Sequence, residues 1–164
     1  MKNFIIKILV FLLTLFPNSA YLQGQYQLTI FDYTTTENNI TEAIKTRNVD
    51  ALEAMMCKNI KQNVDDLPGE IGALIDTIDG EITACDWSPS DSYDAAKYGK
   101  QIKQTGWTVQ IDTANATYFM AVVWEITNNF APGEMGMRWI AVFDKDRKML
   151  AEIRATEGVG GWHD

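Results

Sequence analysis

Apolar residues recur along this chain at two different periods, and the period changes near residue 80. Before that point the spacing is helical. In "NITEAIKTR", Ile40, Ala43 and Ile44 fall on one stripe and Asn39 is a competent N-cap. In "NVDALEAMMCKNIKQN", Asn48 caps while Leu52, Met55, Met56 and Ile60 share a face, so the spacing predicts a helix through this stretch. A third helix follows the break at "DDLPGE". Pro68 suits its first position and Glu70 its first turn, where the helix dipole favours an acid. Ile71, Leu74, Ile75 and Ile78 then stand at i, i+3, i+4 and i+7.

After residue 80 the period is two. Trp107, Val109 and Ile111 lie on one side of "WTVQID", and Tyr118, Met120, Val122, Trp124 and Ile126 on one side of "TYFMAVVWEI". Phe119, Ala121 and Val123 are opposite, so this strand is apolar on both faces and belongs near the middle of a sheet. Met137, Trp139, Ala141 and Phe143 alternate in "GMRWIAVFD", "DKDR" reads as a turn, and "KMLAEIRA" as a last strand. "TANA" closes a short hairpin and "TNNFAPGE" a longer one, while "SPSDSYDAAKYGKQIKQTG" is too polar to assign. Helices first and strands after define an α+β fold. About three helices pack on one face of an antiparallel sheet of four to six strands.

At the change of period stands "LIDTIDGEITACDW", which holds the raw material of a calcium loop. Setting Gly80 at the glycine of an EF-hand puts Ile75 at position one, Thr77 at position three and Asp86 at position twelve. An isoleucine supplies no oxygen, and the register fails. Asp76, Asp79 and Glu81 alone are too few for a cation that wants about six to eight oxygens. The plainer reading is a junction: Ile78 finishes a helix, Gly80 takes the left-handed position beyond it, and Ile82 opens the sheet.

The N-terminus changes the picture of where the chain works. "MKNFIIKILVFLLTLFPNSAYLQG" carries Lys2 and Lys7, then an apolar run from Ile8 to Phe16 that is shorter than the roughly 20 residues of a membrane span. Residues 1–24 read as a signal peptide, 25–37 as a polar connector, 38–156 as one domain and 157–164 as a flexible tail. Loss of the leader removes two lysines and no acids, taking the formal charge from −8 to −10. Such a chain repels phosphates, which excludes nucleic acid as a general partner and leaves the membrane only through an uncleaved leader. Outside the cytoplasm Cys57 and Cys85 could pair, or remain buried thiols.

No metalloprotease, nucleophile-elbow, phosphate-loop or dinucleotide motif is present in the sequence, so neither a cofactor nor a metal is implied. His163, the one histidine, stands next to the C-terminus, where chain ends fray and catalytic geometry is not held. Trp107, Tyr118, Trp124 and Trp139 could line a ligand site if their strands curve, although tryptophans at period two more often form a core. Asp112 and Glu125 near strand ends, with Tyr118, are the candidates for a carboxylate-driven reaction. "NIT" at Asn39 and "NAT" at Asn115 match the glycosylation acceptor.

The segments "ITEAIKTRNVDALEAMMCKNI", "LPGEIGALIDTIDGEI", "GWTVQIDTANATYFMAVVW" and "GEMGMRWIAVFDKD" together resemble a domain-of-unknown-function family of small secreted lipoproteins, mostly from clostridial Gram-positive bacteria. The resemblance implies a cystatin-like (nuclear-transport-factor-2-like) roll, in which a strongly curved sheet cradles the helices around a pocket. It also implies a lipid-attachment cysteine, and here "LQGQ" places Gln25 at that position. Release into the medium, or retention at the outer face of the membrane by an uncleaved leader, is therefore expected instead. Rolls of this kind serve many functions. The expected function is a non-enzymatic module that binds a small ligand or a protein. Self-association is left open, and the alternative is a histidine-free lyase or isomerase using Asp112, Glu125 and Tyr118.

Overall fold

A computed structural model of the chain describes residues 31–97 and 99–156. The leader, residues 25–30 of the connector, Trp162, His163 and the tail lie outside those residues. Among the described residues four helices come first: α1 (Tyr33–Lys45), α2 (Val49–Met55), α3 (Lys58–Asn63) and α4 (Leu67–Asp76). Five strands follow: β1 (Ile82–Lys97), β2 (Lys100–Thr113), β3 (Thr117–Asn128), β4 (Gly136–Phe143) and β5 (Met149–Arg154). The sheet is an open antiparallel meander in the order β1-β2-β3-β4-β5. The α+β class and the order of helices before strands are as the periodicity predicts. None of the described helices is long and apolar enough to cross a membrane.

Local chemistry explains most helix starts. The side chain of Asp32 accepts from the Thr35 amide at 3.0 Å, that of Asn48 from Ala51 at 3.0 Å and that of Asp66 from Gly69 at 3.2 Å. The Thr35 hydroxyl also donates to Asp32, and these bonds hold its carboxyl below the usual carboxylate range. α1 therefore begins at Tyr33, inside the expected connector and ahead of Asn39. Its first two turns bury only Thr36 and Ile40, so no apolar stripe announces them.

The expected helix through residues 48–63 is two helices, broken at Met56 and Cys57. Leu52 and Ile60 keep helical spacing, yet Met56 is extended and bridges Met137 in parallel, while the Cys57 amide donates to the Met137 carbonyl at 2.9 Å. A backbone partner on β4 has outweighed local propensity. α3 has no side-chain cap of its own. Glu134, from a 3-10 turn at Pro132–Glu134, accepts from the Asn59 amide at 2.9 Å and supplies one. Asn59 in turn accepts from Thr156 just beyond β5.

Cross-strand rows settle the two faces of the sheet. Trp87, Val109, Met120 and Val142 form one row, and Trp107, Val122, Ile140 and Ile153 another. Both face the helices. The Trp87 indole donates to the Thr41 hydroxyl at 3.0 Å, and Trp107 meets Tyr33 edge-on at 5.9 Å. The opposite face carries Phe119 beside Phe143 and Val123 beside Trp139. The polar stretch after Trp87 belongs to a long β1–β2 hairpin.

Asp79 ties the helix-to-sheet junction down with two hydrogen bonds. The Asp79 amide donates to the Tyr118 hydroxyl at 3.2 Å, and its carboxylate accepts from the Asn115 amide at 3.0 Å. Gly80 holds φ +92, and a Cβ there would meet Asn115 and Thr113 side-chain atoms at 3.1 to 3.2 Å. Gly80→Val is expected to cost about 2 kcal/mol through left-handed strain and crowding. Asp79→Asn, at an exposed site, should cost under about 0.5 kcal/mol. Urea denaturation of both variants checks this pair, and equal midpoints would show that the turn does not depend on its glycine.

Candidate functional site

The same junction forms one side of a cleft. The last turn of α1, the last turn of α4 and the start of β1 enclose about 440 Å³, within the range typical of small-ligand sites. Ile44, Ile75 and Ile78 lie beneath it, almost fully buried, Ile82 is half-buried at its side, and Lys45, Arg47 and Glu81 stand on its exposed rim.

Arg47 is shaped by how α1 ends. The Asn48 amide donates to the Ala43 carbonyl at 2.8 Å and the Arg47 amide to the Ile44 carbonyl at 3.2 Å, which is the Schellman pattern. The residue at its left-handed position is usually glycine. Here it is Arg47, at φ 52, and L-residues pay roughly 1–2 kcal/mol for that conformation. The guanidinium offsets the strain by crossing to α4, where it donates to Asp76 at 2.6 Å and to the Ile78 carbonyl at 3.2 Å. The pair with Asp76 is exposed, so its fixed geometry matters more than its modest energy. Arg47 thereby staples together the two helix ends that bound the cleft.

The residues expected from the sequence to bind or react are dispersed. Trp107 and Tyr118 lie in the core, against the helices. Trp139 is on the other face, its indole donating to Glu152 at 3.1 Å. Trp124 is half-buried beside a register shift in the β3–β4 pairing. The four do not line one concavity. Asp112 accepts from Thr117 at 2.8 Å and from Gln110, in the row next to that of Tyr118 and so on the opposite face. Glu125 sits seven residues along β3 from Tyr118, roughly 23 Å at strand spacing. Its buried carboxylate receives Arg138 at 3.0 Å, Gln104 at 2.9 Å and Asn128 at 2.5 Å. The fold thus does not unite Asp112, Tyr118 and Glu125. Asp76 and Asp79 are engaged separately, by Arg47 and Asn115.

Cys57 and Cys85 are both free thiols. Cys57 lies against β4 and Cys85 on β1, with two strands between them. Three strand steps span roughly 14 Å, about twice the largest Cα separation a disulfide bridges. Burial pushes both thiols above their ordinary value, with Lys45 partly offsetting the effect at Cys85. The folded state then keeps protons that the unfolded chain sheds above about pH 8.5, so stability is full at neutral pH and declines as pH rises past that point. Urea denaturation from pH 7 to 9.5 should show the decline, and a Cys57→Ala/Cys85→Ala variant a flatter profile. Unchanged electrophoretic mobility with and without reductant after alkylation is expected as well.

Fold and cleft together define a small α+β module with a preformed pocket where its helical layer meets its sheet. The chain belongs to the family described as Domain of unknown function (DUF5104), which matches residues 38–145. No curated protein gives a significant match to the chain. Every residue lining the cleft falls within the family match, and β5 falls outside it. Arg47 and Lys45 escape sequence reading because nothing in "IKTRN" marks a left-handed arginine. Ile75, Ile78 and Ile82 are legible as apolar positions, though not as the floor and side of a cleft.

Proposed function

We propose that this protein is an exported, non-enzymatic binding module and that the cleft between α1, α4 and β1 takes a small ligand. The observation that carries the reading is the cleft itself: a concavity of about 440 Å³ over buried isoleucines, with half-buried Ile82 at its side and charged groups on its rim. Export rests on the charged-then-apolar N-terminus and on the resemblance to small secreted lipoproteins, with Gln25 in place of the lipid-bearing cysteine. On this reading the protein is released or held at the outer face of the membrane by its leader. The helices-then-meander order supports the cystatin-like superfamily. The isomerase alternative has no comparable observation behind it.

A thermal-shift screen of small molecules on the purified protein tests the reading. A true ligand at 100 times its dissociation constant stabilises by about 2.7 kcal/mol. Ile82→Trp, at a half-buried position at its side, should fill the cleft and abolish the shift while the fold is kept. Hits that survive Ile82→Trp, or a broad library without hits, would move the function away from the cleft.

A further inference from the structure

We infer that two copies of this protein pack together through the sheet face turned away from the helices, around a two-fold axis that runs along β3. The inference is independent of the cleft, which α1, α4 and the start of β1 form. Exposure separates the two faces of the sheet. On the helix-facing rows Met120, Val122, Ile140 and Val142 are at most 1% exposed. On the outer rows Phe119, Val123, Trp139 and Phe143 are only half-buried. An antiparallel sheet with one face in water is ordinarily polar on that face. Here its centre is apolar, so it holds surface that a partner would remove from water. Two side chains of its own rim touch it: the Arg147 guanidinium stacks over Phe119 at 3.4 Å, and Glu152 accepts from the Trp139 indole.

Size and charge point to a second copy. Five strands about 4.8 Å apart, over the stretch from Thr117 to Val123, give a flat area of roughly 600 Å². Side-chain relief brings this to the scale of a standard interface, about 800 Å² per partner. Acids stand on the β1–β2 side of the face, at Asp86 and Asp112, and cations on the β4–β5 side, at Arg147 and Arg154. A two-fold along β3 lays β1 and β2 of one copy over β5 and β4 of the other, so unlike charges meet. A two-fold across the strands would lay each strand over itself and set acid against acid. Aligned sheets of this kind pack about 10 Å apart. Asp112 and Arg147 stand at the same end of the face, beside Thr117 and Phe119, so the axis brings Asp112 of each copy to Arg147 of the other. Asp112 is held by the neutral donors Thr117 and Gln110, and Arg147 by a ring; neither forms an ion pair among the described residues. Glu152, the acid on the basic side, falls opposite Ser88, which shares its row. These contacts offset the repulsion between two chains of net charge −8.

Sedimentation equilibrium of the purified full-length protein tests the interface. The wild type should be a dimer. Its dissociation constant should rise about tenfold or more in Asp112→Arg and in Arg147→Asp, because each change sets like charges against each other twice. Mixed together, these two variants should dimerise again, since a pair made of one of each restores both unlike contacts. That recovery also shows that both are folded. Ala121→Glu, at a half-buried outer position on the axis, sets two carboxylates face to face and should dissociate the dimer too. A monomeric wild type would overturn the proposal. So would a dimer indifferent to all three variants, which places association elsewhere on the chain, or a mixture no more associated than its folded components. Should either charge variant lose the wild-type far-UV spectrum, Ala121→Glu decides alone, and a dimer that it leaves intact refutes this face.

Discussion

Gly136→Ala is expected to destabilise the domain by about 3–5 kcal/mol, a large share of the 5–15 kcal/mol that holds an ordinary domain together. Gly136 opens β4 at φ +127, a conformation that residues with a Cβ adopt only under strain of about 1–3 kcal/mol. A Cβ built there lies 2.9 Å from the Met55 carbonyl oxygen and 3.3 Å from the Cys57 amide nitrogen. Both are backbone atoms and cannot swing aside as a side chain would. Relief requires the α2–α3 junction to lift from β4, which breaks the Cys57–Met137 hydrogen bond and the Met56–Met137 bridge. Crowding of this kind adds about 1–3 kcal/mol. Gly99→Ala is the control, because Gly99 also has positive φ, at +73, but nothing within 4 Å of its Cβ. It should show the strain alone, about 1 kcal/mol. Urea denaturation separates the two, and similar losses for both variants would mean that close approach at Gly136 contributes nothing.

The second large effect is expected at Arg138. Its guanidinium reaches Glu125 at 3.0 Å, and the glutamate side chain is only 1% exposed. Arg138→Met leaves that carboxylate buried without its cation, which typically costs about 3–5 kcal/mol. Gln104 and Asn128 would still donate to it, but neutral donors do not replace a charge in a poorly solvated site. Arg138 makes further contacts of its own, so the single variant overstates the pair. A double-mutant cycle with Glu125→Gln isolates it. Much of the loss should return in the Glu125→Gln/Arg138→Met protein, giving a coupling energy of about 2 kcal/mol or more. Strictly additive losses would refute the idea that the two charges depend on each other. Glu125 ties β2, β3 and β4 together, because its partners come from all three strands.

Much of the fold can be read from local chemistry. The stripe Ile71, Leu74, Ile75 and Ile78 is buried as its spacing demands, and Asn48 caps as its type suggests. The alternation of Trp107, Val109 and Ile111 is that of a core-facing strand. It fails on β3 after Val122, where a register shift in the β3–β4 pairing falls between Val123 and Trp124 and buries Glu125 rather than Trp124. It fails again on β1, whose residues beyond Trp87 are mostly exposed and so show no apolar period. The beginning of α1 was hidden for a related reason, since a buried threonine carries no hydrophobic signal.

The candidate site divides along the same line. Four isoleucines and a glycine at a helix end are visible in the residues, and their apolarity alone assigns them to the interior. That a cleft lies over those isoleucines depends on where two helices end relative to a strand up to forty residues away. Arg47 shows the limit most clearly, because its left-handed backbone is held by a carboxylate and a carbonyl from another helix. The sequence by itself determined the helical and strand periods, the Asn48 cap and the buried sides of α4 and of β2 from Trp107 to Ile111, since these depend on neighbours within a few residues. Only the tertiary structure decided the break at Met56, the burial of Glu125 and the cleft. Each depends on a partner far along the chain, and no local propensity specifies that contact.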